Sequence, residues 1–353
     1  MAFDPQREDY QRMGLRFAHT LDSSSPAEAT RAFASFSRRF ARERDSLPQS
    51  DSDRAFHLVA IASKLIDYEL PFADDAEAQK LIERGHQLLD EALSLDPRCF
   101  DAIRMKAAAD KPSFEAFLDF LNEQSDEVWR TCSEQSTRIL QRGTNDERTL
   151  LEANLAMHPY LRWVSTQAEQ ALICGRNKQS IQLSLHALEV DPRDEADIRF
   201  TAALAYAKLE DAQGLATLIQ NTGSKLRTRP ANDAWTQLSL IALAHKTHDL
   251  QSATDLLVDL ARLYPHAAET LLRQIELPEG VFARLAVKPY SEDELVLALS
   301  EATVLLQEGR EPNGRGVLGA WISNEAAQML PPAVASMIAE QMRDLMDGRS
   351  DVL

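Results

Sequence analysis

The sequence predicts an all-α chain of helical hairpins stacked as an α-solenoid. Three observations predict it. Good helix formers dominate a composition that holds only 12 glycines. No stretch alternates polar and apolar residues as a half-buried strand would. Apolar residues instead recur at helical spacing, in blocks of roughly 12–18 residues with short connections between them.

The elements follow in chain order. Asp4-Pro5 starts the first helix, with Asp as N-cap and Pro in the first turn. Ser25-Pro26-Ala27-Glu28 reads as a capping box. The helix after it, 26–45, puts Phe33, Phe36 and Phe40 on one face and Arg31, Arg38, Arg39, Arg42 and Arg44 around the rest. That basic aromatic helix suits either a cap on the solenoid or an acidic membrane surface or partner. Residues 46–53 form a polar linker. Helices are then expected over 54–69, 74–95, 99–110, 112–123, 126–142, 145–157, 160–174 and 176–190. They continue over 195–209, 211–222, 231–247, 250–263, 265–274, 291–308, 316–329 and 332–347. Gly143 and Gly175 stand where C-caps belong. The implied organisation is an N-terminal helical cap over 1–50, a repeat solenoid over 54–310 and C-terminal capping helices over 311–353.

Charge narrows the partners. The net charge is −17, yet residues 1–54 balance nine Arg against nine Asp and Glu, so the whole acidic excess lies in 55–353. Such a field repels phosphate backbones and steers basic or polar partners, which argues against nucleic acid. Cys99, Cys132 and Cys174 have spacings that suit neither zinc nor a disulfide framework, and a reduced cytoplasmic setting is the expectation. The charged N-terminus lacks a signal peptide's apolar core, and the longest apolar run, near residue 60, is too short for a transmembrane segment.

One stretch occurs twice. ALEVDPRDEADIR occupies 187–199 and ALSLDPRCFDAIR occupies 92–104, with seven of thirteen positions identical. In a tetratricopeptide repeat two helices pack within about 34 residues. Small residues let the backbones approach, and a proline after the second helix fixes the turn. The segment 161–192 fits best, with Gly175 between its helices, Ile181 and Leu185 facing inward, Ala187 at the contact and Pro192 at the end. A segment ending at Pro97 carries Gly85, Leu89 and Ala92, and one ending at Pro265 carries Trp235, Leu238, Ala253, Leu257 and Leu260. Leu204, Ala205 and Ala216 suggest a further hairpin. The prolines are 95 and 73 residues apart, so the array is degenerate. The duplicated stretch is then one corner made twice, with Ile103 and Ile198 pointing into the core and Arg104 and Arg199 on the following helix.

Residues 158–175, HPYLRWVSTQAEQALICG, and the segments RNKQSIQLSLHALEVDPRDEADIRF, DAWTQLSLIALAHKTHDLQSATDLL and LYPHAAETLL that follow resemble a tetratricopeptide-like family. That family includes the suppressor-of-tumorigenicity proteins and bacterial relatives. The likeness spans about 80–322 loosely and 158–275 best. Asp194-Glu-Ala-Asp197 departs from the family's Asp-Asn-x-Gly, and Tyr264-Pro-His266 from its Asn-Pro-x. The resemblance implies a helical-repeat architecture and no particular reaction. Ser165 and Glu169 stand where a chaperone-tail carboxylate clamp would need Lys and Asn, which argues against that ligand class.

The expected function is therefore a non-catalytic protein- or peptide-binding scaffold that uses a concave groove and needs no cofactor. Arg104, Arg162, Arg199, Tyr206 and Trp235 are the candidate groove contacts, the arginines for directional bonds and the aromatics for area. Arg104 and Arg199 have a structural alternative in internal pairing, Arg199 with Glu195 at i, i+4 or either arginine with a neighbouring hairpin, and Trp235 has one in the core. Two weaker signals are noted. Gly314-x-Gly316-x-x-Gly319 lacks the preceding strand that nucleotide binding requires. His245 and His248 could begin a metal site, but at a helix end they are favoured anyway. The competing reading is an enzyme or small-molecule sensor with a site built between repeat helices. A subunit of a larger assembly, signalled by an exposed apolar patch, is a third.

Overall fold

The structure, a computed structural model, describes residues 4–21, 25–70, 73–142, 146–223, 232–274, 287–309 and 315–350. Among them every regular element is helical and no strand occurs. The chain forms two compact units, Phe3–Gln167 and Ala168–Leu353, and the division falls inside a helix rather than at the polar linker near residue 50.

The first unit contains α1 (Pro5–His19), α2 (Pro26–Glu43), α3 (Asp51–Ser63), α4 (Asp75–Leu95), α5 (Phe100–Asp110), α6 (Phe114–Arg142) and most of α7 (Glu147–Ile173). Asp4 caps α1 by accepting from the amides of Gln6 and Arg7. The Ser25–Glu28 capping box opens α2. The Phe face of α2 packs on α1: Phe36 stacks on Phe17 with ring centroids 4.8 Å apart, and Phe40 meets Tyr10 edge-on. Those rings are thus occupied within the fold. The expected linker is shorter than its composition suggests, because Ser50 and Asp53 form a second capping box and α3 begins at Asp51.

Two expected breaks are absent. The helices expected over 112–123 and 126–142 are one helix, α6, and those over 145–157 and 160–174 are one helix, α7, with Pro159 inside it. Proline removes one backbone bond and disfavours the preceding turn. Burial on both sides of it, by Leu155, Ala156, Tyr160, Leu161, Trp163 and Val164, outweighs that cost. Trp163 also donates Nε1–H to the Leu121 carbonyl of α6 at 3.1 Å.

The second unit holds the end of α7, then α8 (Asn177–Val190), α9 (Arg199–Lys208), α10 (Ala212–Gly223), α11 (Ala234–Lys246) and α12 (Leu250–Leu263). After these come α13 (Ala267–Arg273), α14 (Glu292–Glu301), α15 (Thr303–Leu306), α16 (Val317–Gln328) and α17 (Pro332–Ser350). Three successive helix pairs here share one turn. Gly175, Glu210 and His248 each adopt a left-handed conformation, with φ of 71°, 59° and 64°. In each turn the next amide reaches back to close the helix end: Arg176 to Ala171, Asp211 to Tyr206 and Asp249 to Ala244, at 2.7–3.0 Å. This is a Schellman cap. The turns are 35 and 38 residues apart by residue number. The second helices of the first and third pairs turn the same positions inward, Ser180, Ser184 and Ala187 on α8 and Ala253, Leu257 and Leu260 on α12, whereas α10 buries Leu215 and Leu218.

Only the first of the three turns carries glycine. A non-glycine residue in the left-handed region costs about 1 kcal/mol or more, part of which glycine gives back through its freer unfolded chain. Glu210→Gly and His248→Gly are each expected to stabilise by about 0.5–1 kcal/mol, raising the melting temperature by about 2–3 °C in calorimetry. An unchanged or lower melting temperature would show that these turns are not strained.

The duplicated stretch also makes the same corner twice. Asp96 and Asp191 donate their amides to Ala92 and Ala187, and their carbonyls accept from Cys99 and Asp194. Their side chains accept from Arg98 and Arg193 two residues on. Beyond that the copies diverge. In the first, α5 starts at once, and Ile103 is only half-buried. In the second, Asp194 and Asp197 take left-handed turns and α9 starts at Arg199, with Ile198 fully buried. The Gly143 cap and Asn313-Gly314 lie outside the described residues.

Candidate functional site

Polar chemistry concentrates around two buried arginines, one in each unit. In Phe3–Gln167 the centre is Arg162 on α7. Its Nε and Nη2 donate to the two carboxylate oxygens of Asp101 on α5, both at 2.6 Å. Its Nη1 donates to Glu8 on α1 at 2.6 Å. Glu8 also accepts from Arg12 Nε at 2.8 Å, and His158 Nδ1 lies 2.8 Å from it. The neighbouring Asp9 repeats the arrangement. Arg44 bonds both its oxygens, and His57 Nδ1 lies 2.7 Å away. Two adjacent carboxylates on α1 therefore each hold an arginine and a histidine from elsewhere in the unit.

The electrostatics follow from burial and pairing. Burial alone would push Glu8 up, but Arg162, Arg12 and His158 together hold it well below the usual carboxylate range. Asp9 and Asp101 are lowered against burial in the same way. Arg162 is raised despite burial, by Asp101 and Glu8, and stays charged. At its edge Arg104, about 20% exposed, donates Nη1 to Thr166 at 3.2 Å, and its Nη2 lies 3.7 Å from Asp101. Its buried Nε finds no hydrogen-bond partner among the described residues. Burial pushes the nearby Asp67 up to about 6, against the pull of Arg104.

In Ala168–Leu353 the centre is Arg199, only 4% exposed. Nη1 donates to Asp194 and Nη2 to Asp233, both at 2.9 Å, and Asp197 lies 3.4 Å away. Glu195, the partner expected from its i, i+4 position, pairs with Arg193 instead. The reason is the double left-handed turn, which places Glu195 ahead of α9 rather than on it. Arg199 lies over the Phe200 ring at 4.2 Å, and that ring stacks on Trp235 at 4.1 Å. Trp235 donates Nε1–H to Glu301 at 2.5 Å. Tyr264 donates its hydroxyl to Glu294 at 2.6 Å, so burial and this bond push the phenol up. Three carboxylates share one guanidinium, and burial raises Asp194 despite that cation.

No protein-family model, curated protein or solved structure matches this chain. Its chemistry is read from its own residues.

Of the five candidate groove residues, Arg199 and Trp235 are buried, Arg162 is only 11% exposed, and all three are bonded inside their own units. Tyr206 is also buried, its ring lying against Gly214 on the facing helix. Arg104 keeps some exposure, while its unused Nε–H is buried. Burial pushes the thiols of Cys99 and Cys132 up to about 12 and about 11, so neither is an activated nucleophile. Among the described residues no cluster of His, Cys, Asp and Glu is arranged to hold a metal. His245 packs on the Trp321 ring at 5.0 Å and His248 occupies its helix-end turn. The described glycines of the Gly-x-Gly-x-x-Gly run serve packing. A Cβ on Gly316 or Gly319 would strike the backbone of residues 306–308.

Sequence reasoning missed Glu8, Asp9, Asp101, His158 and Asp233. Glu8 and His158 are 150 residues apart, beyond any local pattern. The adjacent acids Glu8-Asp9 on α1 were the one available local signal.

Proposed function

We propose that this chain is a non-catalytic protein- or peptide-binding scaffold, built of degenerate tetratricopeptide-like hairpins stacked as in an α-solenoid. The observation that carries the reading is the thrice-used Schellman turn at 35- and 38-residue spacing. A tetratricopeptide unit repeats at about 34 residues. The same reading supports kinship with the suppressor-of-tumorigenicity proteins and their bacterial relatives.

The buried arginines act as ties between elements, and the partner contact falls to Arg104. Its side chain is about 20% exposed, and an exposed guanidinium N–H can donate to a carboxylate or carbonyl of a bound segment. Among the described residues no helix is long and apolar enough to cross a membrane, and the acidic charge outside residues 1–54 favours a basic or polar partner.

The test uses the full chain to capture partners from its native cell, followed by reconstitution with the purified partner. Arg104→Ala is expected to weaken binding about tenfold, equivalent to about 1.4 kcal/mol. Its melting temperature should stay within a few degrees of the parent. Intact binding with a lowered melting temperature would make Arg104 another internal tie and remove the groove assignment.

A further inference from the structure

We infer that the seat of α1 between α3 and α7 is the scaffold's partner groove, that α1 fills it as an internal stand-in, and that a partner helix with the same order of charges binds by displacing the α1–α2 arm. The inference rests on the scaffold reading above and names its partner class and its regulation. It starts from how differently the two sides of α1 are held.

Towards α2 the contacts are apolar. Met13, Phe36 and Leu47 form a small core of their own, with Phe17, Phe33 and Phe40 packed around it. Towards α3 and α7 charged side chains carry the contact. Glu8 meets His158 and Arg162 of α7, and Asp9 meets His57 of α3. Arg12 lies over the Phe56 ring of α3 at 4.2 Å, Arg16 pairs with Asp53 at 2.6 Å, and His19 Nε2 lies 3.4 Å from Glu152 of α7. The apolar core that joins α3 to α4 through Val59, Leu88 and Leu89 includes no residue of α1 among those described. The hairpin of α1 and α2 therefore has its own aromatic core and is joined to α3 by the short stretch 48–50. Arg44, at its base, donates to the Asp53 carbonyl and to Gln49, which marks a hinge.

A seat of this kind selects by pattern more than it holds by strength. Replacing a buried ion pair with apolar side chains is often neutral or stabilising, whereas a mismatched charge is costly. The pattern is explicit. Along α1 the order is Glu8, Asp9, Arg12, Arg16, His19. Along the seat, His57, His158 and Arg162 stand at one end, Phe56 in the middle, and Asp53 and Glu152 at the other. On both walls the residue numbers fall as those of α1 rise, so α1 runs antiparallel to α3 and to α7. Acid in the first turn and base in the last also suit the helix dipole, so the charges that fit the seat favour the helix itself.

The partner is thus an amphipathic helix with paired carboxylates at its start and cations towards its end, the helix-in-groove mode. Asp4, Glu8 and Asp9 balance Arg7, Arg12 and Arg16, so α1 carries no net charge. A partner built like it escapes the repulsion that the chain's net −17 exerts on an acid-rich one. Arg104 stands at the edge of this seat, since its Nη2 lies 3.7 Å from the Asp101 carboxylate that Arg162 grips.

The test uses the full chain and a fluorescent peptide of residues 4–20 as the probe. R16E/H19E sets carboxylates against Asp53 and Glu152, and both sites are about half exposed, so folding should be spared. The peptide should bind this variant about tenfold more tightly than the parent, whose seat is filled, because apparent affinity scales with the fraction of open seats. A peptide carrying E8K/D9K should bind neither. Native-state amide exchange should show residues 5–19 and 26–43 losing protection together in R16E/H19E, with α3 and α4 unchanged. Equal peptide affinity for parent and variant, binding of the E8K/D9K peptide, or matching loss of protection in α3 and α4 overturns the inference. A purified partner should likewise gain about tenfold on R16E/H19E. A partner held equally by both proteins overturns the seat as its groove and leaves the scaffold reading standing. Partner binding that Arg104→Ala leaves intact removes the Arg104 contact instead, and the peptide then still decides the seat.

Discussion

Arg199→Met should lower the stability of Ala168–Leu353 by about 3–5 kcal/mol, the cost of breaking a buried ion cluster by removing one partner. The magnitude follows from what is left behind. Asp194, Asp197 and Asp233 are each at most 2% exposed, and Arg199 is the cation they share. Methionine matches the aliphatic stem and can keep contact with the Phe200–Trp235 stack, so the loss reports charge rather than packing. Arg199→Lys should recover only part of it. A single ammonium cannot reproduce the fork that reaches Asp194 through one nitrogen and Asp233 through the other. The pH dependence has a definite sign. Burial already raises Asp194 in the parent, and losing the guanidinium removes the charge that pulls it back down. A raised pKa contributes stability that is present below the unfolded pKa and lost as pH rises through the folded one. The variant should therefore melt higher at pH 5 than at pH 8, more steeply than the parent does. Thermal melts across that range decide it. A melting temperature within a few degrees of the parent at every pH would mean that the cluster does not tie α9 to the start of α11.

The all-helical class, the caps at Asp4 and Ser25 and the duplicated Asp-Pro corner were legible because each is written in neighbouring residues. The repeat spacing was not. The prolines that mark a unit's end in sequence sit at irregular intervals, whereas the structural repeat is carried by the turn inside each hairpin. There Glu210 and His248 take the place of glycine, so the turns are silent to a search for glycine. Pro159 misled in the opposite direction. A local breaker was overridden by apolar neighbours buried along both flanks of α7. The internal-pairing alternative for Arg199, a bridge to a neighbouring hairpin, is what the structure shows, and Arg162 is likewise tied internally. Arg199 was recognisable as special from its duplicated position. Its carboxylates lie across a left-handed turn and 34 residues downstream, and neither distance leaves a helical-spacing signature.

The second large effect concerns α1. Glu8→Gln is expected to cost about 3 kcal/mol or more at pH 7, since it strips a buried carboxylate from Arg162, Arg12 and His158 while leaving those groups in place. In the parent the folded pKa values of Glu8, Asp9 and Asp101 are all depressed. A depressed carboxylate contributes stability that is full above its unfolded pKa and lost as pH falls through the folded one. The unfolded values are 4.5 for Glu8 and 3.8 for the two aspartates. The Phe3–Gln167 unit should therefore hold its stability down to about pH 5 and lose it progressively below about pH 4. Glu8→Gln removes one of the three contributors. Its stability curve should start lower at pH 7 and fall less steeply into acid, so that the two proteins converge near pH 2. Asp9 remains, bound by Arg44 and His57, and keeps α1 partly anchored in the variant. Amide exchange resolves the site: protection across residues 5–19 should fall in Glu8→Gln at pH 7 more than protection of α3 and α4 does. Equal loss of protection throughout the unit would place Glu8 in the cooperative core instead of at the docking face of α1. Parallel stability curves for parent and variant would show that the Glu8 carboxyl is not held below its usual range.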